Sequence, residues 1–255
     1  PAQVLLARLQ HSPLGAHLAL DRRHRSAHAR HALGQLALGG GAALVLFTQP
    51  LEMRARGRLA LAHLEVQRWA ATQTGSPHNT EFIRELHRRF YAALPKEMRI
   101  ATTSAGAQTP LTPGELRDRD VEVGSHVGPP HELVPAMLGH FQCRYESTDL
   151  SRLQRIIAIG ASHHRLAWIH PFRDGNGRVV RLFSDAVIRQ LGIDGGGLWS
   201  LSRGFARNRD EYYARLANAD QERSTTSADE SRGHLSERAL WDFCEFTLRT
   251  MVDQI

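Results

Sequence analysis

Residues 170–181 read HPFRDGNGRVVR, so that a histidine, a carboxylate and two arginines fall within twelve positions. The stretch lies between a helix that the apolar spacing predicts over 150–169 and another predicted over 178–191. Gly175 and Gly177 have no Cβ, which lets backbone amides approach an anion closely. Free N–H groups and the helix dipole at a helix N-terminus also favour negative charge. The stretch therefore predicts a phosphate site.

The side chains of the stretch suit phosphate chemistry. Arg178 and Arg181 are three residues apart on one helix face, so both guanidinium groups can reach the same phosphate oxygens. Asp174 offers a hard oxygen ligand of the kind that Mg²⁺ prefers. His170 is near enough in the chain to act as a general base beside the anion. These residues predict a phosphate site with a base, and they leave open which phosphorus is attacked.

The rest of the chain is predicted to be mostly helical. The 255 residues are 42% hydrophobic and 23% charged, which is ordinary for a globular protein. Helical periodicity predicts helices over 58–70, 80–94, 131–145, 150–169, 178–191, 208–219 and 237–252. The segment VEVGSHV at 121–127 predicts a short strand or hairpin, in which His126 is expected to be exposed. The predicted fold class is all-α with a small β-hairpin, and no apolar run reaches the roughly 18–20 residues that span a bilayer.

Charge and cysteine content narrow the class of partner. The net charge is +6, but Lys96 is the only lysine and the arginines alternate with acids, as in RDRD at 117–120. A dedicated nucleic-acid partner is therefore not expected, and an anionic substrate fits the charge equally well. Cys143 and Cys244 are far apart and show no CxxC spacing, which argues against a disulfide scaffold and a zinc site. This pattern fits a reducing cytoplasm, with secretion as an effector left open.

The stretch at 170–181 resembles the signature of the Fic family, H-x-F-x-[D/E]-G-N-G-R-x-x-R, and matches it at every fixed position. The resemblance continues outside the motif. Residues 85–90 are similar to the helix before the family's flap, and residues 114–130 are similar to the flap itself. Residues 202–216 resemble the segment that closes the base and ribose pocket, through Asn208, Tyr212 and Tyr213.

The resemblance implies the domain organisation. We expect a Fic domain over 58–255, with its core at about 80–220 and a C-terminal helix. Residues 1–57 have no counterpart in the family, and they are expected to be an N-terminal extension of unknown role.

The resemblance also implies an activity, the transfer of AMP from Mg²⁺-ATP to a Tyr, Thr or Ser hydroxyl of a target protein docked at the flap. His170 would take the proton of that hydroxyl as it attacks the α-phosphorus, and Asp174 would hold Mg²⁺. Arg178 and Arg181 would bind the β- and γ-phosphates.

Further residues would complete the nucleotide site. Asn176 and the amides of Gly175 and Gly177 would stabilise the growing negative charge, and Asn208 and Tyr212 would bind the nucleotide. Gly177 supports nucleotidyl transfer over phosphorylation, because a kinase-like branch of the family departs from the pattern there. The sequence leaves open whether the donor is ATP, or instead UTP, GTP or another phosphate donor.

Regulation and two further functions stay open as well. Many Fic proteins carry an inhibitory [S/T]-x-x-x-E-[G/N] helix, and here Glu65 and Glu230 are imperfect candidates for its glutamate. If neither residue has this role, the inhibition is absent or is supplied by a separate antitoxin-like partner. A hydrolase that removes AMP, or an idle scaffold that binds nucleotide, remains an alternative to the transferase.

Overall fold

The computed structural model describes residues 41–102, 106–124, 126–221 and 235–254, with side chains from residue 53 onward. Within these residues the fold is helical with two short antiparallel hairpins, which confirms the predicted fold class. The helices are α1 Gly41–Ala70, α2 Thr80–Ala92, α3 Val134–Tyr145, α4 Arg152–Ile169, α5 Asn176–Gln190, α6 Leu201–Arg207, α7 Arg209–Ala219 and α8 Glu237–Val252. The strands are β1 Ile100–Thr102, β2 Gln108–Pro110, β3 Glu122–Val123 and β4 His126–Val127, paired β1 with β2 and β3 with β4.

Contacts along the chain separate residues 1–60 from residues 61–255, and the functional site lies in the second unit. The extension predicted over 1–57 lies mostly outside the described residues, and its boundary stays a prediction. The same holds for Glu230, which is also outside the described residues. No helix among the described residues is both long and apolar enough to cross a membrane.

Helix α4 lies at the centre of the core and packs against α3, α5 and α8. Its start is fixed by a capping box, in which Ser151 and Gln154 each accept a hydrogen bond from the other's backbone N–H. Ile159 on its inner face is fully buried. At Gly160 an added Cβ would lie 2.8 Å from the Cα of Cys244, so the missing side chain lets α8 approach closely. This packing fixes the end of α4, where the site begins.

Helix α2 lies beneath the site. Asn79 caps it by accepting hydrogen bonds from the backbone N–H groups of Glu81 and Phe82. Its buried residues are Ile83, Leu86, His87, Phe90 and Tyr91. Since His87 and Tyr91 belong to this buried face, α2 brings two polar side chains under the loop that joins α4 to α5.

That loop has left-handed backbone at both ends. His170 follows α4 with φ 50° and ψ 59°, and Gly175 precedes α5 with φ 82° and ψ 2°. Helix α5 therefore begins at Asn176, two residues earlier than the spacing predicts. Its first turn contains Gly177 and Arg178, so the phosphate motif coincides with a helix N-terminus.

Two elements were not predicted from the sequence. The hairpin β1–β2 lies in a segment for which the sequence predicted neither helix nor strand. Helix α6 precedes the predicted helix over 208–219, which is α7, and the two meet at Asn208, whose φ of −111° and ψ of 41° break the helical path.

Candidate active site

The middle of the loop between α4 and α5 is anchored in the core by Phe172. This side chain is fully buried, and its ring stacks on that of His87 with centroids 4.0 Å apart. The Asn176 side chain accepts a hydrogen bond from the Phe172 N–H at 2.9 Å and donates one to the Phe172 carbonyl at 2.7 Å. The carboxamide of Asn176 thus closes the loop. The expected role of Asn176 in stabilising phosphate charge stays a prediction.

His170 is presented as a neutral base. Its Nδ1 lies 3.2 Å from the carbonyl oxygen of Ala167, which can only accept, so Nδ1 carries the hydrogen. Burial, with the nearby charge of His126, lowers the pKa of His170 to about 4. At neutral pH the ring is uncharged, and Nε2 keeps the lone pair that a general base needs.

The backbone of His170 is held by Arg117. The Arg117 side chain is buried; its Nε donates to the His170 carbonyl at 2.9 Å and its Nη1 to the Arg119 carbonyl at 3.1 Å. Its Nη2 donates to the carbonyl of Pro129. Burial lowers the pKa of Arg117, and the carboxylate of Asp120, 3.6 Å away, partly compensates. One guanidinium therefore joins both ends of the segment 117–129 to the catalytic loop.

Within that segment, the hairpin β3–β4 forms the flap and is attached to the core through His126. The His126 Nε2 donates to the Trp168 carbonyl at 3.0 Å, and its Nδ1 lies 3.0 Å from the Asp220 carboxylate. The ring centroids of His126 and His170 are 5.8 Å apart. The side chain of His126 is only 15% exposed, so the expectation that it is exposed was wrong.

Asp220 is the anion that receives this contact from the flap. Its carboxylate also lies 3.0 Å from Nε2 of the buried His164, an ion pair by distance whose angle is poor for a hydrogen bond. Burial raises the pKa of Asp220, but the contacts with His126 and His164 outweigh it and lower the pKa to about 2. The ionised carboxylate therefore links the flap to α4.

On the other side of the loop, Asp174 is held at both carboxylate oxygens. Oδ1 accepts a hydrogen bond from the Gly175 N–H at 2.6 Å, and Oδ2 accepts one from the Tyr91 hydroxyl at 2.9 Å. The Asp174 side chain is 46% exposed. An accessible carboxylate in a fixed orientation beside an anion site fits the expected Mg²⁺ ligand. Because the Gly175 amide donates to Asp174 in this structure, its expected role in stabilising phosphate charge stays a prediction.

Both motif arginines act on buried tyrosines. Arg178 Nη1 donates to the Tyr91 hydroxyl at 3.3 Å. Burial raises the pKa of Tyr212, and the positive charge of Arg181 opposes this rise. The Tyr212 hydroxyl also lies 2.9 Å from Nε2 of His163. Tyr212 is buried, and its expected contact with the nucleotide stays a prediction.

The N-terminus of α5 supplies backbone donors beside these arginines. Its first helical hydrogen bonds come from Arg178 and Val179, which both donate to the Gly175 carbonyl at 3.0 Å. The N–H groups of Asn176 and Gly177 precede them and point out of the helix end. Together with the guanidinium groups they form a surface that favours a phosphate.

Helix α1 contributes His63, and not Glu65, to this charged surface. Burial and the positive charges of Arg181 and Arg178 lower the pKa of His63 to about 4. Glu65 is exposed, and among the described residues no ion pair joins it to either arginine. The structure therefore gives Glu65 no inhibitory contact.

Asn208 lies at the junction of α6 and α7. The residue is exposed, and its side chain donates a hydrogen bond to the Gly204 carbonyl at 3.2 Å. A role of Asn208 in nucleotide binding stays a prediction.

Sequence reasoning missed His87, Tyr91 and Arg117. The Nε2 of His87 donates to the Asp174 carbonyl at 3.2 Å, and its Nδ1 accepts from the Gly114 N–H at 2.8 Å. Polar residues among the apolar positions of α2 were a signal that could have found His87 and Tyr91. Arg117 carried no such signal, because arginine is abundant throughout this chain.

Comparison with known proteins agrees with the motif and the fold. The model of the Fic/DOC family matches residues 77–188. A protein adenylyltransferase Fic from Nematostella vectensis is 28% identical over 193 residues, which cover 71% of this chain and 42% of the relative. One from Aedes aegypti is 24% identical over 180 residues, covering 69% of this chain and 35% of the relative. The chain thus spans less than half the length of these relatives.

A solved structure shares the fold. The crystal structure of a Fic family protein from Desulfovibrio desulfuricans G20 aligns with a TM-score of 0.53 at 21% identity, over 77% of this chain and 50% of the other. At this identity the likeness shows the fold alone.

Proposed function

Since the chain carries a domain of the Fic/DOC family, we propose that it transfers AMP from ATP to a Tyr, Thr or Ser hydroxyl of a target protein. The observation that supports this most strongly is the neutral His170, whose free Nε2 lies on the loop that leads directly into the phosphate-binding end of α5. A base next to an anion site is the arrangement that proton removal from an attacking hydroxyl requires.

In the proposed reaction, Nε2 of His170 takes the proton of the acceptor hydroxyl. The hydroxyl oxygen forms a bond to the α-phosphorus, the bond between the α- and β-phosphates breaks, and pyrophosphate leaves. Arg178, Arg181 and the N–H groups of Asn176 and Gly177 stabilise the negative charge on the phosphates. The hydrogen bond with Tyr91 orients Arg178 before the substrate binds.

Asp174 would hold Mg²⁺, which neutralises phosphate charge when it is bound. Its carboxylate is accessible and oriented by two hydrogen bonds, which is how the residues present fit the ion. The flap would place the acceptor side chain next to His170, because β4 is fixed there through His126.

We further propose that the protein acts in the cytoplasm of its producing cell. Both Cys143 and Cys244 are free thiols, one exposed and one buried, as a reducing compartment allows. Because Glu65 makes no contact with the arginines, we also propose that any inhibition comes from a separate antitoxin-like partner.

The experiment that tests the proposed function uses ATP labelled at the α- or the γ-phosphate, Mg²⁺, cell lysate as a source of targets, and the purified protein. We expect protein labelling from the α-label alone, and its loss in His170→Ala. Labelling from the γ-label would mean phosphorylation and would contradict the proposal. Parallel reactions with UTP and GTP identify the donor, and release of AMP from labelled protein would indicate the hydrolase instead.

A further inference from the structure

Tyr91 lies between the two side chains that the proposed reaction needs on its phosphate side. It belongs to α2, about eighty residues before the loop, and nothing in the 170–181 motif specifies it. Its hydroxyl is 2.9 Å from Oδ2 of Asp174 and 3.3 Å from Nη1 of Arg178.

The direction of both hydrogen bonds follows from their chemistry. A carboxylate can only accept, so the single hydrogen of the phenol goes to Asp174. A guanidinium can only donate, so Arg178 donates to the phenol oxygen. The direct distance from Arg178 Nη1 to Asp174 Oδ2 is 3.9 Å, which is too long for a hydrogen bond. The hydroxyl of Tyr91 is therefore the group that connects them.

The position of the phenol is itself fixed by packing. Tyr91 is 1% exposed, and its ring lies 4.7 Å from the ring of His87, centroid to centroid. At Gly175 an added Cβ would lie 2.6 Å from Cε2 of Tyr91, so the loop backbone rests directly on the ring. A hydroxyl on a ring held in this way has little freedom to leave its two partners.

We propose that Tyr91 is a positioning residue that sets the orientation of the Asp174 carboxylate for a divalent cation and holds Arg178 beside the same phosphates. Oδ1 of Asp174 is fixed by the Gly175 N–H and Oδ2 by Tyr91, so the carboxylate plane is defined before the cation binds. This inference rests on the proposed function, in which Mg²⁺-ATP is the ligand. Groups that hydrogen-bond a metal ligand in this way commonly affect metal affinity.

The variant Tyr91→Phe tests this, since it keeps the ring that packs on Gly175 and removes only the hydroxyl. Calorimetry would give the Kd of ATP with Mg²⁺ and with EDTA, and the ratio of the two reports the contribution of the cation without relying on turnover. We expect this ratio to fall by about tenfold in Tyr91→Phe, the lower range for loss of a group that orients a metal ligand. Asp174→Asn provides the value of the ratio when the ligand itself is removed.

Tyr145→Phe is the matched control, because Tyr145 is a partly buried tyrosine of α3 that packs on His78 and Phe141. Its ratio should equal that of the unmodified protein. If Mg²⁺ strengthens ATP binding in the unmodified protein and the ratio of Kd values changes less than twofold in Tyr91→Phe, Tyr91 does not orient the carboxylate. That result would overturn the role of Tyr91 and leave the proposed function intact. The absence of any Mg²⁺ effect in the unmodified protein would instead overturn the proposed function together with the inference.

Discussion

The two ends of the loop between α4 and α5 are held in different ways. At the flap end, the buried Arg117 binds backbone carbonyls, among them that of His170. At the phosphate end, the neutral hydroxyl of Tyr91 contacts the side chains of Asp174 and Arg178, which stay partly exposed. Folding therefore fixes the backbone of the proposed base, whereas the proposed ligands for cation and phosphate are oriented by weaker contacts. Changes at the flap end should lower stability, and changes at the phosphate end should mainly lower affinity.

The largest effect is expected from Arg117→Met. Each buried carbonyl left without a donor costs about 1–3 kcal/mol, so the free energy of unfolding should fall by about 3 kcal/mol or more. Urea denaturation measures this. Arg173→Met is the matched control on the same loop, because Arg173 forms a partly exposed ion pair with Asp118, and its loss should cost less than about 1 kcal/mol. Equal losses in the two variants would show that the flap end is not held by Arg117.

Gly175→Ala should be the next most damaging change. The backbone φ of 82° costs an alanine about 1–2 kcal/mol, and the clash with the Tyr91 ring adds about 1–3 kcal/mol. Gly192→Ala is the control, since Gly192 has φ 67° and no atom within 4 Å of its added Cβ. Urea denaturation gives the free energy of unfolding of both variants, and the difference between their losses is the cost of the clash. If Gly192→Ala were as destabilising as Gly175→Ala, the ring would not be packed on the loop.

Acid should weaken the phosphate end through His163, which lies under Arg181 and Tyr212. Burial, then the charge of Arg181, lowers the pKa of His163 to about 3, while in the unfolded chain it is about 6.5. Between these values only the unfolded chain binds the proton. The contribution to stability is therefore complete above pH 6.5 and is lost as the pH falls, by about 2 kcal/mol at pH 5.

Urea denaturation at pH 7.5 and pH 5 checks this for the unmodified protein and for His163→Gln. The variant lacks the titrating group, so its free energy of unfolding should depend less on pH by about that amount. The same pH dependence in both proteins would mean that His163 is not held neutral in the fold.

A smaller effect, on binding of the target protein, is expected from Asp220. Asp220→Asn removes the anion that holds His126, and we expect the KM for the target protein to rise about tenfold, as for loss of one charge-assisted hydrogen bond. The Kd of ATP should not change. Asp210→Asn, an exposed position in the first turn of α7, the helix that Asp220 follows, serves as the control. A rise in the Kd of ATP without a rise in KM for the target would assign Asp220 to the phosphate end instead.

The smallest effect is expected from Glu65→Gly. Because Glu65 is exposed and makes no contact with the phosphate arginines, the rate of labelling should stay within about twofold of the unmodified protein. A strong activation would mean that Glu65 does act as a brake and that α1 changes position in the inhibited state.

Local sequence signals predicted the helices and the chemistry of the loop. Periodic apolar residues predicted α2, α4 and α5 within a few residues, and the alternation at 121–127 predicted the hairpin β3–β4. The motif placed the proposed base, carboxylate and arginines close together, because all of them lie within one loop and one helix start. The start of α5 was placed two residues late, since the positive φ of Gly175 leaves no trace in apolar spacing.

Contacts between distant residues could not be predicted in this way. Arg117 reaches a carbonyl 53 residues later, and Tyr91 reaches Asp174 across 83 residues. His126 was expected to be exposed, yet its side chain donates a hydrogen bond to the backbone carbonyl of Trp168 in α4. The contacts of the Asn176 carboxamide with the Phe172 backbone were not predicted either, because nothing in the motif shows how the loop folds back on itself.

The most direct test of the proposed mechanism is the protonation state of His170, measured by ¹⁵N NMR of the histidine-labelled protein at pH 7, with His170→Ala used to assign its signals. A neutral ring with the hydrogen on Nδ1 and a bare Nε2 is the expected result. A doubly protonated ring, or a hydrogen on Nε2, would leave the loop without a base and would contradict the proposed transfer.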